Sequence, residues 1–96
     1  MAETIFGNYP FLSEYEIGGE IRSFDVRVED EELVWHRDAE HREVEVLEGE
    51  GWQFQYENCL PCLLKKGMIF EIPKGEYHRL IKGYNNLKVR IIKKDG

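Results

Sequence analysis

Residues 67–78 read Gly67-Met68-Ile69-Phe70-Glu71-Ile72-Pro73-Lys74-Gly75-Glu76-Tyr77-His78, and the reading of this stretch decides the fold. Met68 to Ile72 form a short apolar strand, Pro73-Lys74-Gly75 a turn, and Tyr77 and His78 open a second strand. Proline fixes one backbone angle in such a turn and glycine permits the unusual one. A histidine is thereby set at the start of a strand.

The pattern of short strands and turns continues in both directions. Downstream, Asn85-Asn86 turns the chain into a last alternating strand over 87–94, with Val89 and Ile91 on one side. Upstream, Gly49 and Gly51 punctuate a hairpin between 44–47 and 52–57, where Trp52, Phe54 and Tyr56 share one face by period two. Residues 33–36 read as a further extended segment. Tyr15 to Val28 alternates around Gly18-Gly19, with Ile21, Ser23, Val26 and Val28 suggesting a strand whose register changes near Phe24, and residues 29–32 are an acidic turn. Residues 1–13 read as an aromatic arm broken by Gly7 and Pro10 that packs over the mouth of the domain or a partner subunit. There is no amphipathic helix of useful length and no internal repeat. Roughly eight or nine short strands with turn signals every 8 to 12 residues predict an antiparallel sandwich or barrel of jelly-roll type.

Ninety-six residues make one domain, taken as 14–94 behind the arm. With 42% apolar and 33% charged residues the chain is globular, and it lacks the apolar run of about 18 residues that a membrane span needs. The first residues lack the basic and apolar regions of a signal peptide, so a cytoplasmic location is expected. The net charge of −6 is unevenly distributed: residues 1–57 hold 16 acids and 4 bases, residues 58–96 hold 3 acids and 9 bases. No aromatic stacking platform accompanies the basic last strand, so nucleic acid is not an expected partner. Cys59 and Cys62 form a Cys-Leu-Pro-Cys with no helix pattern after it and no second pair to complete a zinc site, which reads as two small apolar fillers in a hairpin.

The spacing G-x5-P-x-G-x2-H over Gly67, Pro73, Gly75 and His78 resembles the second conserved motif of the cupin superfamily, small β-barrels in which that histidine points into the barrel mouth. The asparagine that closes the motif is replaced by Lys82. The first cupin motif, G-x5-H-x-H-x3-4-E-x6-G, is imprinted in Trp35-His36-Arg37-Asp38 and Val46-Leu47-Glu48-Gly49-Glu50-Gly51. His36 stands in the place of the first histidine and Asp38 in that of the second. The glutamate's place falls on Arg42. Glu43 is adjacent, but strand parity puts Arg42, Val44 and Val46 on one face and Glu43, Glu45 and Leu47 on the other, so Glu43 turns inward only with a bulge near His41. The resemblance extends to small stand-alone cupins of unassigned function, including phage-encoded ones, in which a His-Arg-Asp run precedes a His-Arg-Leu-Ile run, as at 36–38 and 78–81.

What the resemblance implies is an all-β, single-domain, cupin-like jelly-roll barrel with its site in the mouth. Three readings of that site stand side by side. In the first, His36, Asp38 and His78 hold one divalent metal (Fe, Mn, Ni or Zn) as two histidines and a carboxylate, with positions left open. In the second no metal binds, Asp38 pairs with Arg42, and Arg42 with the histidines and the wall residue Trp35 receives a small anionic or polar molecule. In the third the barrel holds neither and serves as a structural or accessory subunit. A metal-dependent enzyme of dioxygenase, isomerase or lyase type is the catalytic alternative, and the sequence names no catalytic residue. His41 reads as solvent-exposed, Tyr77 as packing outside, and Glu71 as a surface residue. Exposed edge strands and the aromatic arm suggest a homodimer.

Overall fold

A computed structural model describes residues 11–16 (backbone only), 19–27, 33 and 35–94; most of the expected arm, Gly18, Val28 and the acidic turn at 29–32 lie outside the described residues. Eight strands are formed: β1 (Phe11–Glu16), β2 (Gly19–Phe24), β3 (His41–Glu48), β4 (Gln53–Tyr56), β5 (Cys62–Leu63), β6 (Ile69–Ile72), β7 (His78–Ile81) and β8 (Leu87–Lys94). They make a five-stranded sheet in the order β1-β2-β8-β3-β6 and a three-stranded sheet in the order β5-β4-β7. Every pairing is antiparallel. The chain crosses from the first sheet to the second at Gly49–Gly51, where the expected hairpin is therefore not formed because β3 and β4 lie in different sheets, and again at the Pro73-Lys74-Gly75 turn. This is a jelly-roll sandwich. The expected barrel is not closed, because among the described residues no ladder of backbone bonds joins the two sheets.

Period-two burial builds the core. On β3, Arg42, Val44 and Val46 are buried between less buried neighbours, and on β8 the same holds for Leu87, Val89 and Ile91. They meet Trp52 and Phe54 from the other sheet, together with Phe24, Leu33, Leu64 and Ile72. Trp52 is fully buried and donates its indole N–H to the Asn85 carbonyl at 2.6 Å, which satisfies the one polar atom that burial would otherwise strand. Gly83 lies where the strand ends approach closely, since a Cβ there would stand 2.3 Å from the Glu50 carbonyl oxygen and 2.4 Å from the Trp52 nitrogen. Any larger residue at 83 displaces backbone.

Further sequence expectations are corrected. Of the extended segment expected at 33–36, the described residues Leu33, Trp35 and His36 lie on no strand; His36 makes a bridge to His78. β2 runs without a register change before Phe24, pairing Glu20 with Ile91, Arg22 with Val89 and Phe24 with Leu87. Glu20, Arg22 and Phe24 therefore face the interior, and Ile21, although buried, lies outside the core cluster. Arg22 grips Glu20 at 2.6 and 3.3 Å, which is how a buried carboxylate is accommodated there. Cys59 and Cys62 are free and exposed rather than fillers, because β5 is a two-residue edge strand and the buried residue of that segment is Leu64. Trp35, expected in the wall of the site, is 40% exposed.

The opposite charges of the two chain halves meet edge to edge. β3, acidic, lies beside β8, basic, and Lys94 pairs with Glu43 at 2.9 Å while Arg90 pairs with Glu45 at 2.8 Å. His41, expected in solvent, is half-buried at the start of β3 and pairs with Glu71 on β6, which stays on the surface as expected. Among the described residues no helix is long and apolar enough to cross a membrane.

Candidate metal centre

The turn at 73–76 assembles the site. Glu76 donates its amide to the Pro73 carbonyl at 3.2 Å, and Gly75 takes φ of +82°, the positive angle that a type II turn needs at its third position. The two groups that this turn presents are both used. The Gly75 amide donates to the backbone carbonyl of Asp38 at 2.9 Å, and the Glu76 carbonyl accepts from His78 Nδ1 at 2.8 Å. One turn thus fixes both the carboxylate-bearing segment and the ring of the histidine that follows it.

His78 is held on three further sides. Phe54 stacks on its ring at 5.4 Å and 27°, the His36 ring meets it edge-on at 4.3 Å, and its backbone exchanges two hydrogen bonds with His36, at 2.9 and 3.0 Å. That exchange places His36 and His78 directly opposite each other with side chains on the same face. Asp38, two residues on, joins them. One ligand atom from each of His36, Asp38 and His78 lies within 4.8 Å of the others.

Burial is uneven across the three. The side chains of Asp38 and His78 are 9% and 4% exposed, while that of His36 is 51% exposed. His78 Nε2 stands 3.3 Å from Asp38 Oδ2, and His36 Nε2 stands 4.0 Å from Asp38 Oδ1. Asp38 Oδ2 is buried, and the His78 ring at 3.3 Å is the polar group that faces it, without a well-formed hydrogen bond. Burial raises the pKa of the Asp38 carboxyl, while His78, Arg42 and His36 lower it by more, so the net direction is down and the carboxylate is held ionised.

Arg42 faces inward with Val44 and Val46, as strand parity predicts, and Glu43 faces outward toward Lys94. The Arg42 guanidinium is 11% exposed and its Nη1 lies 3.4 Å from Asp38 Oδ1. Its other two nitrogens, Nε and Nη2, both reach Glu40 Oε2, at 2.7 and 2.6 Å. Glu40 is a site residue that the sequence reading missed. The signal was available, since Glu40 lies two residues before Arg42 and shares its parity on an extended chain.

Trp35, expected as a ligand-binding wall, does not join the cluster. It lies next to the bridge on the opposite face of the sheet, where Arg79 stacks on its ring at 4.7 Å. Tyr77 packs outside as expected, under Arg37 at 5.1 Å.

No family model matches this sequence, and no curated protein matches it. Solved structures do. A cupin domain from Bordetella pertussis Tohama I superposes with a TM-score of 0.60 at 15% identity, covering 90% of this chain and 95% of that one. A cupin-2 domain protein from Shewanella frigidimarina NCIMB 400 gives 0.59 at 20% identity, covering 86% and 80%. The fold is that of a cupin. A longer protein, Fe(II) HppE in complex with substrate, gives 0.64 at 16% identity over 88% of this chain, which spans 52% of that protein's length.

Within a cupin fold the residues present can be tested against a metal. Zinc-type bonds to imidazole nitrogen or carboxylate oxygen are about 2.0–2.2 Å, which puts neighbouring ligand atoms roughly 3 Å apart. The His78–Asp38 pair, at 3.3 Å, is already near that spacing. The ligand atoms span up to 4.8 Å, so His36 has to move inward by roughly 1–2 Å, which its exposed position permits. The set fits a divalent ion: two imidazoles and one carboxylate suit Fe, Mn, Ni or Zn, and such an ion would supply Lewis acidity and open positions toward the mouth.

Proposed function

We propose that this chain is a small metal-binding cupin that holds one divalent ion through His36, Asp38 and His78 and takes a small anionic or polar molecule at the mouth, in a binding or accessory role. One observation carries the reading. His78 Nδ1 must bear a hydrogen, because the Glu76 carbonyl opposite it can only accept. In the neutral ring Nε2 is then a bare lone pair, and it faces the buried, unsatisfied Asp38 Oδ2 at 3.3 Å. Two lone pairs at that distance repel each other unless a cation lies between them, and a divalent ion, which His36 can also reach, meets that need. Orientation of a metal-ligating histidine by a carbonyl on its other nitrogen is the arrangement that fixes its tautomer for the ion.

Metal analysis of protein purified without chelator, followed by calorimetric titration with Mn(II) and Zn(II), tests this. The expected result is one ion per chain, lost in His36→Ala and His78→Ala and kept in His41→Ala, whose ring is turned to Glu71 instead. Equal losses in all three variants would mean surface binding and would sink the proposal.

A second reading has its own support. Arg42 already neutralises Asp38 Oδ1 and is itself gripped by Glu40, which is the arrangement of a brace across the mouth. On that reading the cation between His78 and Asp38 is a proton on Nε2, and titration finds no stoichiometric metal.

A further inference from the structure

His36 is the most exposed member of the candidate centre. His78 sits on a strand paired along its length with β4, and Asp38 is anchored by the Gly75 amide. His36 lies on no strand; among the described residues its backbone meets the sheet in a bridge to His78, and its side chain is half exposed. The approach of residues 35–37 to β7 sets where that imidazole stands relative to the other two ligands.

Contacts on the opposite face of the sheet constrain that approach. In an antiparallel pair centred on His36 and His78, residue 35 stands opposite 79 and residue 37 opposite 77, with their side chains on the face away from the histidines. Both outer pairs are cation–π contacts. The Arg79 guanidinium lies over the Trp35 ring at 4.7 Å, and the Arg37 guanidinium over the Tyr77 ring at 5.1 Å. They are crossed, because one cation comes from β7 and the other from the segment. Arg79 is fixed in turn, donating from Nε to Gln55 Oε1 on β4 at 2.9 Å. A chain of contacts therefore runs from the middle strand of the three-stranded sheet through Gln55, Arg79 and Trp35 to the backbone of His36.

We infer that Trp35 and Arg79, with Arg37 and Tyr77, form an outer clasp whose function is to position His36 for the metal. They are positioning residues and touch no ligand. The inference rests on the metal reading above, and it assigns a role to Trp35 that differs from the pocket wall expected from sequence. An exposed cation–π contact corresponds to roughly a two- to fivefold change in an equilibrium.

The test is a double-mutant cycle on full-length protein with cobalt(II) as the probe, read by its visible absorption and by titration. Trp35→Leu and Arg79→Gln each weaken cobalt binding roughly two- to fivefold and change the ligand-field band of the bound ion. The double variant is no weaker than the worse single one, and Trp35→Phe, which keeps an aromatic face, restores most of the affinity. Thermal midpoints of the metal-free variants stay close to wild type, which separates positioning from folding. Unchanged affinities, an additive double variant, or a Trp35→Phe protein as weak as Trp35→Leu would each overturn the clasp.

Amide exchange of His36 and His78 in the metal-free protein keeps the two ideas apart. Trp35→Leu is expected to speed exchange at these mutually bonded amides. A wild-type protein that takes up no cobalt overturns the metal reading alone, and the clasp is then decided by exchange: equal protection in Trp35→Leu and wild type overturns it.

Discussion

Replacing Arg42 by alanine in metal-free protein removes the guanidinium that lies 3.4 Å from the Asp38 carboxylate and leaves that carboxylate 9% exposed, with the His78 and His36 rings its remaining close neighbours. Breaking a fully buried ion pair by deleting one partner costs about 3–5 kcal/mol. The cost here is smaller, because the mouth is open on the Glu40 side, where that side chain is 32% exposed, and Asp38 can relieve itself by taking a proton. About 2 kcal/mol is a reasonable centre, which for a domain of this size lowers the thermal midpoint by about 8–16 °C. Added Mn(II) should reverse much of the loss, since an ion on Asp38 replaces the lost charge and no longer faces a guanidinium. Affinity is therefore expected to rise about tenfold, equivalent to about 1.4 kcal/mol. Arg42→Glu sharpens the contrast: a third carboxylate near Asp38 and Glu40 is worse in chelator and better with metal. Thermal unfolding followed by circular dichroism, in chelator and in Mn(II), reads all four states. An Arg42→Ala midpoint within 2 °C of wild type in chelator, or equal metal-induced shifts in both proteins, would refute the reasoning.

Three further expectations follow from the same geometry. Because the folded pKa of Asp38 is lowered, its contribution to stability is fully present above the unfolded value near 3.9 and is lost as pH falls through the folded one. Midpoints of metal-free wild type should thus fall below about pH 4 more steeply than those of Asp38→Asn, and parallel curves would contradict this. Gly75→Ala meets no neighbouring atom but must hold φ at +82°, so it should cost about 1 kcal/mol and weaken metal binding by loosening the Asp38 carbonyl; unchanged stability would show that the turn adopts another shape. We also propose a homodimer, on the argument that β1, β5 and β6 end their sheets as bare edges among the described strands. Light scattering at tens of micromolar should report a dimer, loosened by deletion of residues 1–12, and a monomer would end the idea.

The strand pattern was legible because burial in a sandwich follows side-chain parity, and parity is written in the sequence. Val44 and Val46 suggested the inward face of β3 and Arg42 with them, and the choice between Arg42 and Glu43 was closed by the structure, which has no bulge near His41. The same rule failed on β2. There the apolar Ile21 suggested the wrong face, because the interior positions carry Glu20 and Arg22, which satisfy each other by a contact that hydrophobicity does not register. His36 and His78 were legible from motif spacing, whereas the partners that orient them were not. A backbone carbonyl on Nδ1, or an amide on Asp38, comes from a turn whose register with the rest of the chain is set only by three-dimensional packing. Trp35 was misplaced for a related reason: one bridge cannot bring a whole segment into the core, and the residue beside it goes to the other face.

The exchange of an acid for Arg42 has a consequence for what the mouth can receive. A divalent ion on His36, Asp38 and a second carboxylate would leave a nearly neutral centre. With Arg42 in that place the local charges are Asp38, Glu40 and Arg42, and an added divalent ion leaves an excess of one positive charge, close to a guanidinium that is buried but not enclosed. Such a centre attracts an anionic molecule to the open side, and it does so only when the ion is present, because without it Arg42 is fully engaged by Asp38 and Glu40. Ligand and metal should therefore bind with positive coupling, each tightening the other by the same factor. Titration of a small dicarboxylate with and without Mn(II) measures that factor. A carboxylate that binds equally well to chelated protein would place the anion site on Arg42 alone and remove the metal from its recognition.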